Sequence, residues 1–291
     1  MRSLTQQRPI VHPAPRFKQR RASLLVLLRV GLIVVLGATM IVPFLWMVTT
    51  SLKAPGSALT VPPQIIPRQP TLESYRRVAD AVPILRMLGN SLVVTVASVA
   101  GQKATGALAA YAFARMRWRG RDTLFLLYLA TLMVPSQVTI TPLFILMTKL
   151  GWVNTYQGLI LPGITSAFGT FLLRQAMLGV PREYEEAAFI DGGTHWTVFR
   201  HVVLPMVHPA LATLAVFATM GSWNNFLWPL FITRDTQLMT LPVGLATLQG
   251  RYTTEWSVVM AGAVITVIPI VSVYLVAQRA FVRGVVLSGL K

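Results

Sequence analysis

An all-α membrane protein with six transmembrane helices is predicted by three features of this 291-residue sequence. Apolar types make up 54% of it and charged types 12%, about half of the roughly 25% that covers a soluble domain. Mean hydropathy is +0.61. Six apolar stretches are each long enough to cross a hydrocarbon layer of about 30 Å, which takes about 20 helical residues. The 26 Lys and Arg against 9 Asp and Glu give a net charge of +17. A pI near 11.4 would suit nucleic acid, but the basic residues lie between apolar runs rather than along one face. The expected surroundings are a lipid bilayer, with no nucleic-acid partner. The absence of Cys excludes disulfides, thiolate chemistry and Cys-ligated metals.

The elements follow in order. Residues 1–23 read as a disordered basic arm lying along anionic headgroups. The apolar run after it is too long for a signal h-region. Residues 24–291 form the transmembrane domain, with spans at about 24–52, 90–113, 123–150, 156–177, 207–232 and 257–281. The loop 53–89 is rich in Pro and holds a short helix starting at Thr71. Pro43, Pro135, Pro142, Pro162, Pro229 and Pro269 fall inside spans, where they either kink a helix or break it along a pathway. Span two carries Ala97, Gly101 and Thr105, then Gly106, Ala110 and Ala114. That small-residue spacing suits close helix contact, within this chain or between subunits. The tail is 282–291.

Lys and Arg counts set the orientation. With the N-terminus inside, basic residues favour the inner segments by about two to one, so both termini are predicted to be cytoplasmic. Arg29 and Lys103 lie within spans, away from the flanks counted with the loops. Lys103 either snorkels to the interface or serves a pathway.

The nine acids all lie outside the spans, and Glu183, Glu185, Glu186 and Asp191 share one loop, 181–205. Pro181 and the acids after it suit a helix start. Gly192 and Gly193 end that helix, and Thr194 caps a second one carrying Trp196, Val198, Phe199, Val202 and Val203. The loop is then a helix–turn–helix at the membrane face: a docking surface, or an amphipathic connector with a solvated acidic side.

This loop resembles a known family. Glu186-Ala187-Ala188, three residues, Gly192, nine residues, and Val202-x-Leu204-Pro205 match the EAA signature of permease subunits of bacterial binding-protein-dependent ABC importers, with Val202 in place of Ile. Asn90-Ser91-Leu92, Ala110-Tyr111-Ala112-Phe113-Ala114-Arg115, Trp223-Asn224-Asn225-Phe226-Leu227-Trp228-Pro229 and Leu241-Pro242-Val243-Gly244-Leu245 look like its carbohydrate-uptake branch, specifically the second, smaller permease. The resemblance implies a type I importer permease in the bacterial inner membrane. It would pair with a paralogous permease, two ATPase subunits and an extracytoplasmic solute-binding protein. ATP and Mg would be used by the ATPase and no cofactor bound by this chain. The cargo would be a sugar, an oligosaccharide or a glycerol phosphate ester. By the same resemblance, loop residues Glu183, Glu185, Glu186, Ala187, Ala188, Asp191, Gly192, Leu204 and Pro205 would couple to the ATPase.

The residues themselves agree in what they lack. No G-x-x-x-x-G-K-[ST] is present. No Asp, Glu or His lies in the body of a span, which argues against a proton-coupled secondary carrier. His12, His195, His201 and His208 form no metal motif, and no catalytic acid pair is evident, so an enzyme is not expected. Candidates for a sugar pathway are Gln137 in span three and Trp223, Asn224, Asn225 and Trp228 in span five, which equally suit interhelical hydrogen bonds and interfacial anchoring.

Overall fold

A computed structural model describes residues 16–58, 64–251 and 255–289, with side chains for 26–58, 64–249 and 255–275. Among these residues every regular element is a helix. α1 (Arg16–Ser51) starts inside the predicted basic arm, so the stretch from Arg16 to Arg21 is helical; residues 1–15 of that arm lie outside the described residues. The apolar side chains from Val26 to Phe44 are exposed all round the helix, as suits a span facing lipid. Its far end is pinned. The Ser51 and Tyr75 hydroxyls are 2.7 Å apart, and Ser74 Oγ donates to the Lys53 carbonyl at 3.1 Å. α2 (Glu73–Ala81) begins beside Thr71, whose Oγ1 accepts from Glu73 N–H.

α3 (Ile84–Arg115) starts six residues ahead of the expected Asn90 and is an unbroken span. The next two spans are broken. α4 (Arg121–Ala130), continued by a 3₁₀ turn at Thr131–Met133, meets α5 (Ser136–Lys149) at 100°. Pro135 sits at the bend, where it forces the residue before it into an extended conformation. α6 (Tyr156–Ile160), with the 3₁₀ turn Leu161–Gly163, meets α7 (Ala167–Leu178) at 42°. Gly101 shows what the small residues of α3 do: a Cβ there would lie 2.7 Å from Ile164. Beside it Gln102 Nε2 donates to Gly163 O and Thr105 Oγ1 to Ile164 O. The close contact is therefore within this chain.

The loop after α7 holds α8 (Glu183–Ile190), α9 (His195–Val198), a π-helical turn Phe199–Val203 and α10 (Leu204–Met206). α11 (His208–Trp223) then leaves at 76° to form span five. The sequence predicts one continuous helix over 207–232. Instead, the helix stops at Trp223 and resumes as α12 (Leu227–Ile232). Pro229 explains the gap, because its ring crowds the carbonyl four residues back, at Asn225. α13 (Leu241–Ala246) and α14 (Leu248–Arg251) follow, with α13 beside the first turns of α3. α15 (Trp256–Gly289) continues as helix into the predicted tail; residues 290–291 of that tail lie outside the described residues. The three unbroken helices α1, α3 and α15 and three bent pairs give up to six membrane crossings.

Asn90 and Ser91 tie this end of the bundle together. Asn90 is buried; its Nδ2 donates to Gln237 O and Met239 O, and its Oδ1 accepts from Tyr156 Oη at 2.6 Å. Ser91 Oγ accepts from Leu241 N–H. Main-chain polar groups at a span end need such partners away from water. At the opposite end Tyr111, Leu173, Met177, Val198, Phe199, Val203 and Leu214 form a buried cluster beneath the loop 181–205.

Candidate functional site: the helix–turn–helix of residues 181–205

α8 opens with Glu183, Glu185 and Glu186 in its first turn, where carboxylates complement the helix dipole. It ends in a Schellman turn: Gly193 N–H donates to Ala188 O at 2.8 Å and Gly192 N–H to Phe189 O at 3.0 Å. Gly192 has φ +82°, open to glycine without strain. Gly193 is required for a different reason, since a Cβ there would lie 2.6 Å from Ala188 O. Thr194 caps α9, its Oγ1 accepting from Thr197 N–H. Pro205 accounts for the π-helical turn. It has no N–H to donate, and Leu204 N–H reaches back five residues to Phe199 O.

The two limbs are locked by aromatic contacts. Tyr111 of α3 meets Phe199 edge-on at 5.2 Å, Phe189 meets His195 edge-on at 5.1 Å, and Trp196 lies 5.4 Å from Phe199. Tyr111 Oη stands 3.4 Å from His195 Nδ1. Among the described residues no group of His and acids could hold a metal.

The four acids do not form one outward patch. Glu183, Glu186 and Asp191 are exposed, but Glu185 points inward, with its Oε1 2.9 Å from Arg115 Nε. Both side chains are at most 10% exposed. This is an ion contact out of line for a hydrogen bond, and neither atom has another hydrogen-bond partner. Arg115 donates from Nη2 to two carbonyls at the end of α7 and just after it, Met177 O and Val180 O. Burial pushes the Glu185 carboxyl above its ordinary value, against the pull of Arg115, Arg182 and His195. Glu185 therefore joins the loop to α3 inside this chain, with its side chain buried rather than on the outer face.

The outer surface is apolar as well as acidic. Ile190 is 85% exposed, and Tyr184, Phe189 and Trp196 are also exposed. Ala187 is exposed, Ala188 half-buried, Leu204 half-buried and Pro205 exposed. Arg115 and Ile190 were not singled out from sequence as parts of this site. Arg115 read there as a basic residue ending the Ala110–Arg115 stretch, and nothing in a linear pattern shows that α8 turns one glutamate under itself.

The five pathway candidates are not brought together. Trp223 is buried, with its indole N–H on Thr266 O, and Trp228 is buried, with its indole N–H on Gly158 O. Both indoles hold helices together. Asn224 and Asn225 are exposed at the break in span five, and Gln137 is exposed past the 100° bend. Lys103 instead lies at a junction. It borders a cavity of about 360 Å³ with Thr95, Thr219 and Trp223, and a second of about 700 Å³ that reaches Trp196, Pro205 and His208. At 1.5 Å per residue it is roughly 20 Å along α3 from Asn90 and 18 Å from Arg115.

Residues 104–287 match the family described as "Binding-protein-dependent transport system inner membrane component". The chain belongs to this family. The permease is 41% identical over 203 residues to the arabinooligosaccharides transport system permease protein AraQ of Halalkalibacterium halodurans, covering 70% of this chain and 73% of that one. It is 37% identical over 233 residues to the sn-glycerol-3-phosphate transport system permease protein UgpE of Shigella flexneri, covering 77% and 83%. Its fold matches a chain of a bacterial ABC transporter that imports the acidic polysaccharide alginate, with a TM-score of 0.80 over 90% of this chain and 98% of that one at 24% identity. A chain of a bacterial alginate ABC transporter in complex with an alginate pentasaccharide-bound periplasmic protein matches with a TM-score of 0.66 over 89% and 94% at 13% identity. The permease is thus an inner-membrane component of a binding-protein-dependent importer.

Proposed function

We propose that this permease forms one half of the translocation pathway of an ATP-driven carbohydrate importer, with both termini cytoplasmic. A paralogous permease supplies the other half, two ATPase subunits the energy, and a solute-binding protein the cargo. The observation that carries this reading is the outer face of α8 and α9, where exposed Ile190, Phe189, Tyr184 and Trp196 sit among Glu183, Glu186 and Asp191. An exposed apolar patch rimmed by charge on a rigid loop suits a protein partner. The buried side of the loop, through Glu185–Arg115 and Tyr111–Phe199, provides the mechanical link to α3 and α7. ATP-driven closure of the ATPases would push on α8 and be transmitted to α3, the helix that carries Lys103 between the two cavities. The chain performs no chemistry; ATP and Mg belong to the ATPase.

Cargo in the class of oligosaccharides or glycerol phosphate esters is supported by the names of the two relatives. The test is reconstitution in vesicles with the second permease, the ATPase and the binding protein. Uptake should require ATP and be abolished by Gly192→Pro, with membrane insertion unchanged. Glu186→Lys and Ile190→Asp should reduce co-purification of the ATPase. Uptake without any ATPase subunit would overturn the proposal and point to a secondary carrier. A ligand screen on the binding protein identifies the cargo.

A further inference from the structure

A second charged site lies beside the coupling loop. The turn between α3 and α4 and the start of α8 enclose an open cavity of about 500 Å³ lined by Arg117, Trp118, Arg121, Asp122 and Arg182. Its one acid is already engaged: Asp122 accepts from Arg121 at 2.9 Å and lies 3.8 Å from Arg174. The cavity therefore keeps an excess of guanidinium groups. Gly120 precedes α4 at φ +81° and provides no side-chain cap, so first-turn amides of that ten-residue helix are left for another acceptor.

The apolar surroundings point the same way. Trp118 is 40% exposed and rests on Phe113 at 5.8 Å, in the position of an interfacial tryptophan. Directly along α4 from Arg121, Leu124 and Leu127 are 50% and 63% exposed. A cationic cavity at a span end, with an indole beside it and an apolar track leading into the membrane, matches one kind of molecule with an anionic head and acyl tails. We propose that this cavity binds an anionic phospholipid, its phosphate between Arg117, Arg121 and Arg182 and its acyl chains along Leu124 and Leu127. Because Arg182 directly precedes α8, the bound lipid also fixes the start of the coupling loop.

The test uses the full-length permease and does not depend on transport. Native mass spectrometry follows lipid retention after exposure to phosphatidylglycerol, cardiolipin or phosphatidylcholine. Wild type should retain the two anionic lipids about tenfold better than phosphatidylcholine. Arg117→Gln/Arg121→Gln/Arg182→Gln should lose that preference. Arg68→Gln/Arg76→Gln/Arg234→Gln, which removes equal charge from exposed positions elsewhere in the chain, should keep it. Where the triple variant does not fold, Arg117→Gln, an exposed side chain, should still lower retention about threefold. Unchanged retention in the Arg117 and triple variants overturns the proposal. So does equal thermal stabilisation by inorganic phosphate, which would mark a free-anion site. Loss of ATPase co-purification with lipid retention intact would mark a protein contact and equally overturn it.

Discussion

Replacing Arg115 by Met should loosen the coupling loop more than any single change on its outer face. Arg115 is buried, contacts Glu185 at 2.9 Å, and donates to the carbonyls of Met177 and Val180. Removing one member of a buried ion pair costs about 3–5 kcal/mol, because the other charge is left without a partner. Proton uptake by Glu185, already favoured by burial, limits the loss towards the lower end. At about 1.4 kcal/mol per factor of ten, local opening of α8 should become roughly 10²–10³ times more frequent. Hydrogen exchange across Glu183–Ile190 in purified permease reads this directly. Replacing both partners, as Arg115→Met with Glu185→Leu, should recover most of the protection, since an apolar pair of similar volume is often neutral. If Arg115→Met exchanges like wild type, or if the double variant is worse than the single one, the strut between α3 and α8 does not exist as described.

Four further outcomes are expected. Gly193→Ala should disrupt the loop more than Gly192→Asn, because the first brings a Cβ to 2.6 Å from Ala188 O while the second must only tolerate φ +82° with nothing near its Cβ; exchange rates and ATPase-coupled uptake should rank them in that order. Trp228→Phe should lower the thermal midpoint by an amount equivalent to about 0.5–1.5 kcal/mol for the lost bond to Gly158 O, without changing which cargo is taken up. Asn90→Leu, which removes two donated bonds and one accepted bond, should increase proteolysis in the 234–247 segment. The raised Glu185 carboxyl has a signed pH effect. Its stabilising contribution is complete below its ordinary value of 4.5 and is lost as pH rises through the higher native value. Protection of α8 should therefore increase as pH is lowered from neutrality towards that value in wild type, relative to Glu185→Gln.

The candidate site was legible where chemistry is local. Glycine at a helix end, threonine at the next helix start and proline after an apolar pair act on their own neighbours. Gly192, Thr194 and Leu204-Pro205 thus stand where a linear reading puts them. The five pathway candidates were polar or aromatic types at membrane depth, and composition cannot tell an indole that meets cargo from one that donates to a carbonyl 70 residues away.

Sequence by itself determined the medium, the helical class and the family, because each follows from counts, run lengths and a fixed spacing. Tertiary structure alone decided which acid faces outward. Glu185 and Glu186 are adjacent in the chain, yet the helical turn between them places one under the loop on Arg115 and leaves the other exposed. The same holds for Lys103, whose depth could be counted along α3 but whose place between two cavities depends on helices more than 100 residues further on. Burial and ion pairing are properties of the packed chain, and a one-dimensional pattern carries only the residues from which they are made.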